Sequence, residues 1–331
     1  MFLKLLKESK DRQLIPEKLY ITCEQLYTSY RETIERAGMS MADYESTFQF
    51  LLQRIEEQIA HPYPFEPYHK KITTPLNYFK FALDFARPLI DLKHSVLLHE
   101  ENVKKISHQL EAGENVILFA NHQTELDPQL INILLQENGF AFGTEMIFVA
   151  GDRVLTDPLA TPFSMGCNLL CIYSKRHIDN PPERRAEKQL HNQRTMQLLR
   201  QLLTAGGKCV YVAPAGGRDR PNEKGEVIVS DFDPQSIEMF RLMALKSKTT
   251  THFYPLALVT YEILPPPHTI QKELGEKREA KRSKVLLSFG NEVAMADLAV
   301  SNEQERHKTR RQRADAILNS VKEQYKILKK I

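Results

Sequence analysis

His122 and Asp127 are the residues whose types and spacing best suit proton transfer. They lie in Val116-Ile-Leu-Phe-Ala-Asn-His122-Gln-Thr-Glu-Leu-Asp127-Pro128, where an apolar run ends in a polar turn and a new apolar-periodic segment begins. A turn held by rigid elements on both sides is a common mount for an active-site base. Histidine takes and returns a proton near neutrality. A carboxylate on its second ring nitrogen would fix the tautomer and stabilise the imidazolium. A plainer reading of the same residues is a helix start, with Asp127 as N-cap, Pro128 at the first helical position and His122 an ordinary turn residue.

Three other tracts are polar, marked by Gly or Pro, and follow an apolar run. Gly151-Asp152-Arg153 follows Ile147-Phe-Val-Ala150, and Ser174-Lys175-Arg176-His177 follows Leu169-Leu-Cys-Ile-Tyr173. Gly216-Gly217-Arg218-Asp219-Arg220-Pro221 follows Val210-Tyr-Val-Ala-Pro214. Ligands of α/β proteins gather at strand ends. Arg218 and Arg220 offer forked donors suited to phosphate, Lys175 and Arg176 add charge, and Gly216 and Gly217 let backbone approach closely. A basic pocket beside a His–Asp pair points to acid–base chemistry on a small phosphorylated molecule. A solvated surface charge is the alternative for each cation taken singly.

Competing templates are incomplete. The chain lacks a Walker A loop, a G-x-G-x-x-G and an HExxH or similar metal spacing. Phe163-Ser164-Met165-Gly166 follows Pro162 instead of Gly, so the hydrolase nucleophile elbow is not formed. The His–Asp pair is therefore expected to activate a substrate hydroxyl, with neither cofactor nor metal.

The elements that must position these residues follow from periodicity. Leu19, Cys23, Tyr27, Tyr30 and Ile34 fall at helical spacing, as do Met41, Tyr44, Phe48, Leu51, Leu52, Ile55 and Ile59 after Ser40 as N-cap. His61-Pro-Tyr-Pro-Phe-Glu-Pro-Tyr68 breaks any helix and serves as a linker. The expected organisation is an N-terminal helical bundle over 1–65 and an α/β catalytic domain over 66–331. In the latter a helix is expected from Leu76 through His94 and another up to Gly113. Short β-rich runs occupy 115–120, 146–150, 168–173, 208–213, 252–260 and 285–289, interleaved with helical 128–137, 183–205 and 233–246. The fold class expected is α/β, a mixed sheet layered with helices on both faces. A final charged helix runs from about Asn302, with Ile317, Val321, Tyr325 and Leu328 on its apolar face.

Composition limits the function classes. A formal net charge of +3 over 331 residues is too small to argue for nucleic acid. Cys23, Cys167, Cys171 and Cys209 lack paired spacing and read as reduced thiols. The N-terminus carries charges every few residues and does not read as a signal peptide. The apolar runs are far shorter than the roughly twenty residues of a membrane span. A soluble, cytoplasmic protein is expected, with peripheral membrane contact open. The basic clusters at 277–284 and 306–313 read as a solvated loop and a solvated helix face, or as docking surfaces for an acidic partner.

Taken together, these tracts resemble a known family. His122 and Asp127 match the H-x4-D motif of glycerolipid acyltransferases. The blocks from Asn121 to Pro128, Met146 to Leu155, Tyr173 to His177, Ala213 to Pro221 and Phe253 to Leu258 are similar to the soluble, plastid-type glycerol-3-phosphate 1-O-acyltransferases of plants and some bacteria. The resemblance implies transfer of a fatty acyl group from a thioester, typically acyl carrier protein or else coenzyme A, to the sn-1 hydroxyl of glycerol 3-phosphate. It implies His122 as general base, Asp127 as its orienting partner, and Arg176, His177, Arg218 and Arg220 as the glycerol-phosphate pocket. Lys175, Arg153, Gly216 and Gly217 would support that pocket. In a plant the compartment would be the plastid stroma. The chain departs from the broader superfamily in having Pro214-Ala215-Gly216 in place of Pro-Glu-Gly, and from the plant enzymes in having Arg176 in place of lysine. A lysophosphatidate acyltransferase, or a non-enzymatic binder of phosphorylated ligands, are the alternatives.

Overall fold

Strand β3 (Asn115–Ala120) is buried at every position, as expected of a central strand covered on both faces. Its side chains alternate between two apolar layers. Val116 and Leu118 join one core, Ile117 and Phe119 the other. The computed structural model describes residues 1–175, 178–267, 276–295 and 303–331. Arg176 and His177, expected in the phosphate pocket, lie outside the described residues.

Around β3 stand β1 (Tyr68–His69), β2 (Val96–Leu98), β4 (Ile147–Ala150), β5 (Asn168–Cys171), β6 (Cys209–Val212), β9 (Thr251–Val259) and β10 (Leu286–Phe289). They form an eight-stranded sheet in the order β1-β5-β4-β6-β3-β9-β10-β2. Strands β5, β4, β6, β3 and β9 are parallel, whereas β1 runs antiparallel to β5 and β10 runs antiparallel to β9, with β2 parallel to β10 at the far edge. The sheet is thus mixed, as expected. Its five parallel strands end on one edge, which gathers the polar tracts that follow them. A separate two-stranded ribbon, β7 (Arg220–Pro221) and β8 (Val227–Ile228), grows from the loop after β6.

One face is covered by α4 (Tyr78–Ala86), α5 (Glu100–Glu111) and α6 (Asp127–Glu137), and by the N-terminal helices α1 (Phe2–Asp11), α2 (Glu17–Arg36) and α3 (Glu45–Ala60). The other is covered by α9 (Arg185–Ala205), α10 (Pro234–Ser247) and α11 (Glu303–Leu328). Ile317, Val321, Tyr325 and Leu328 of α11 are buried there, as their spacing predicts. Ser40 caps a 3-10 turn, its Oγ accepting from the Ala42 amide. The N-terminal helices dock by named bonds: Tyr30 Oη donates to the Phe85 carbonyl (2.9 Å) and Gln58 to the Leu155 carbonyl (3.1 Å). All four cysteines are buried free thiols.

The helix expected from Leu76 to His94 is much shorter. It ends at Ala86, and two 3-10 turns, Arg87–Leu89 and Leu92–His94, follow. Pro88 supplies the reason, since proline lacks an amide donor and its ring disfavours the preceding helical turn. Strands β1 and β2 were not legible because two or three residues carry no usable period.

Two short helices, α7 (Arg153–Thr156) and α8 (Thr161–Ser164), lie between β4 and β5. Gly166 follows α8 with no room for a side chain: a Cβ there would sit 2.8 Å from the Phe79 backbone. Gly166→Ala must therefore push α4 away. It is expected to destabilise by about 1–3 kcal/mol, the usual cost of overpacking, read as a lowered denaturant midpoint. An unchanged midpoint would show that α4 yields freely.

Candidate active site

The turn after β3 holds the central pair. His122 Nδ1 lies 2.8 Å from Asp127 Oδ2, which also accepts the Gln123 amide at 2.8 Å. Asp127 Oδ1 accepts the Thr260 hydroxyl at 2.6 Å. Asp127 is fully buried and its side chain caps no helix amide, although it opens α6 and Pro128 follows. The plainer N-cap reading therefore does not describe it. With Nδ1 turned to the carboxylate, Nε2 is the ring nitrogen without a hydrogen-bond partner among the described residues, and the side chain is 29% exposed. The ring is accessible while the carboxylate that orients it is shielded from water.

Thr260 was not singled out from the sequence. It stands just past the end of β9, whose register against β3 pairs Ala120 with Leu256. Two parallel neighbours ending together bring Thr260 to Asp127. A hydroxyl residue at a strand end was the only available signal.

The second polar loop is tied to the first by its backbone. The Asp219 amide donates to the His122 carbonyl at 2.6 Å. The buried Asp219 carboxylate accepts from Asn121 (2.8 Å), Gln123 (3.2 Å) and the Ser230 amide (2.9 Å). Burial raises the Asp219 carboxyl, and these bonds offset it only in part. Asp219 thus faces inward and fixes the loop, leaving Arg218 and Arg220 on either side of it. Gly216, at φ +66°, supplies the left-handed turn that carries the chain from β6 into this loop, with Gly217 following.

Arg218 and Arg220 are both part-buried. Arg220 donates from Nη1 to the carbonyls of Arg218 (3.1 Å) and Asp219 (3.4 Å), while its buried Nε has no partner among the described residues. Burial and the adjacent Arg218 charge lower the Arg220 guanidinium from its ordinary value. Arg220 thus keeps a donor unspent beside the Arg218 guanidinium, a pairing of charges suited to an anion.

Behind them is an ion network that the sequence reading did not find. Arg278 is 4% exposed. It forks onto Glu125 (2.8 and 3.1 Å) and reaches Asp157 (3.1 Å). Arg218 contacts Glu125 at 3.5 Å and pairs with Glu276. Burial would raise Glu125, but Arg278 and then Arg218 outweigh it and hold the carboxyl at about 2. The expectation of a solvated cluster over 277–284 is corrected here: Lys277, Lys281 and Arg282 are exposed, but Arg278 is internal. In the 306–313 cluster, Arg313 pairs with Glu238 at 3.3 Å, whereas Lys308 and Arg311 are exposed.

Lys175 points to neither arginine. Its Nζ binds Asp233 Oδ2 (2.7 Å) and Gln235 Oε1 (2.9 Å) at the start of α10. Arg153 is part-buried at the start of α7, beyond the end of β4.

The comparisons with known proteins fit this geometry. The acyltransferase family model matches residues 98–259, which span both polar loops. The chloroplastic glycerol-3-phosphate acyltransferase of Arabidopsis thaliana is 36% identical over 326 residues, covering 98% of this chain and 71% of that one. The chloroplastic glycerol-3-phosphate acyltransferase of Spinacia oleracea is 37% identical over 329 residues, covering 98% and 69%. The chain belongs to the glycerol-3-phosphate acyltransferase family. As a member of that family it is an acyltransferase. The 1-acyl-sn-glycerophosphate acyltransferase of Thermotoga maritima aligns over 92% of this chain and 97% of that one, at 17% identity and a TM-score of 0.42. Among the described residues no helix is long and apolar enough to cross a membrane.

Proposed function

We propose that this chain transfers a fatty acyl group from a thioester to the sn-1 hydroxyl of glycerol 3-phosphate, with His122 as general base. One observation supports the reading: the turn that carries the oriented, accessible imidazole and the loop that carries Arg218 and Arg220 share a backbone hydrogen bond. Phosphate held by Arg218 and Arg220 places the glycerol backbone of a small substrate beside Nε2. His122 Nε2 takes the hydroxyl proton as the oxygen attacks the thioester carbonyl. Collapse of the tetrahedral intermediate breaks the C–S bond, and the imidazolium returns the proton to the thiolate. Asp127, buried and held by Thr260 and Gln123, keeps the ring in the tautomer this requires.

Acyl carrier protein is the donor we favour, because Lys277, Lys281 and Arg282 offer an exposed basic surface to an acidic partner. Arg176 and His177 complete the phosphate site in this reading, with Arg153 in support from a neighbouring strand end and Lys175, held by Asp233 and Gln235, only at its margin. This reading places the protein in the plastid stroma or the cytoplasm, the former supported by relatives named as chloroplastic.

The test is thiol release from acyl-acyl carrier protein and from acyl-coenzyme A, with and without glycerol 3-phosphate. Release that requires the acceptor and yields 1-acylglycerol 3-phosphate establishes the reaction. Release without acceptor makes the protein a thioesterase, and acylation of lysophosphatidate instead moves the acceptor assignment. Arg218→Ala is expected to raise the apparent KM for glycerol 3-phosphate about tenfold or more, the loss of one charge-assisted phosphate contact. A fall in kcat at unchanged KM would remove Arg218 from the clamp.

A further inference from the structure

Arg218 is already occupied. Its Nη2 pairs with the Glu276 carboxylate, and both side chains are largely buried, at 15% and 7% exposure. Among the described residues, Arg218 and Arg278 are paired with Glu125, Glu276 and Asp157, and Arg220 also feels the Glu276 charge. A phosphate placed on Arg218 beside an unmoved Glu276 would set two neighbouring anions on one guanidinium.

The three carboxylates are not held alike. Glu125 receives the fork of Arg278, and Asp157 receives a further Arg278 bond together with the Leu159 amide (2.9 Å). Arg278 binds Glu276 through the backbone carbonyl, at 3.2 Å. The main chain of Glu276 is therefore anchored while its side chain rests on Arg218 and against the Glu125 carboxyl, a contact between two acids that does not tie it down. Arg278 itself is braced from behind: the Ala280 amide donates to Ser29 Oγ and the Ala280 carbonyl accepts from Thr33, both at 3.0 Å. The carboxylate that can yield by side-chain rotation alone is Glu276.

We propose that Glu276 occupies the phosphate subsite of Arg218 in the unliganded protein, yields it to the phosphate of the incoming acceptor, and returns to help expel the phosphate of the product. This rests on the assignment of Arg218 to the phosphate clamp. Apparent affinity for a phosphate is then reduced by the fraction of Arg218 left free. The cost in binding is repaid at release, since product and substrate carry the same phosphate group.

The test compares full-length wild type with Glu276→Gln, Arg218→Ala and, as a control for general charge removal, Glu279→Gln, whose carboxylate is 52% exposed. Binding of inorganic phosphate by calorimetry, KM for glycerol 3-phosphate, kcat and thermal melting are measured for each. Glu276→Gln is expected to tighten inorganic phosphate and lower KM by about three- to tenfold without raising kcat, with Glu279→Gln close to wild type. If Glu276→Gln fails to fold, Glu276→Ser gives the same readout. Unchanged or weaker phosphate binding in a folded Glu276 variant, while Arg218→Ala weakens it, overturns the proposal and leaves the clamp standing. Equal tightening in Glu279→Gln also overturns it. Unchanged binding in Arg218→Ala removes clamp and proposal together.

Discussion

His122→Ala is expected to lower turnover at least about a hundredfold, the usual contribution of a positioned general base, while KM for glycerol 3-phosphate changes little. The split follows from where the two functions sit. The bond from Asp219 to the turn uses the His122 carbonyl, not the ring, so removing the imidazole leaves the arginine loop in place. Asp127 keeps its bonds to Gln123 and Thr260, so the turn keeps its shape. Steady-state kinetics with thermal melting as a folding control decide the matter. Turnover within about tenfold of wild type would assign the proton transfer elsewhere, and a large rise in KM would make His122 a binding residue.

The second large effect is on stability. Arg278→Met is expected to cost about 3–5 kcal/mol at neutral pH, because it removes the guanidinium paired with the buried Asp157 and leaves Glu125 only its longer contact with Arg218. Denaturant unfolding measures this. The deficit should also depend on pH in a known sense. Glu125 is held at about 2 in the folded chain, well below the ordinary value of about 4.3. A depressed folded pKa contributes stability above the unfolded value, and that contribution is lost as pH falls through the folded one. The gap between wild type and Arg278→Met should therefore narrow as pH is lowered from about 5 towards 3. A gap that stayed constant would mean the loss is one of packing. Because the same network supports Arg218, activity in the variant should fall even where it remains folded.

The residues that were legible in the sequence are those whose partners are local. His122 and Asp127 straddle one turn, so the strand before and the helix after are enough to bring them together. The runs that became β3, β4, β5, β6, β9 and β10, and the helices α6, α9, α10 and α11, announce themselves by period and length. The gathering of polar tracts on one edge follows from parallel strands, and alternating strands and helices foretell those.

What the tertiary structure decided is where a charge goes when its partner is far along the chain. Lys277 and Arg278 are adjacent and read alike, yet one is exposed and the other buried against Glu125, 153 residues away. Thr260 reaches Asp127 across 133 residues only because β9 lies in register beside β3. Lys175 shares a tract with residues expected in the pocket but is drawn to Asp233 at the start of α10. Asp219, read as one more polar loop residue, turns inward and fixes its neighbours outward. Periodicity reports which face of an element is apolar, because burying apolar area is a property of the element itself. It cannot report the partner of a cation, since burying a charge becomes tolerable only through a specific opposite charge that the fold alone delivers.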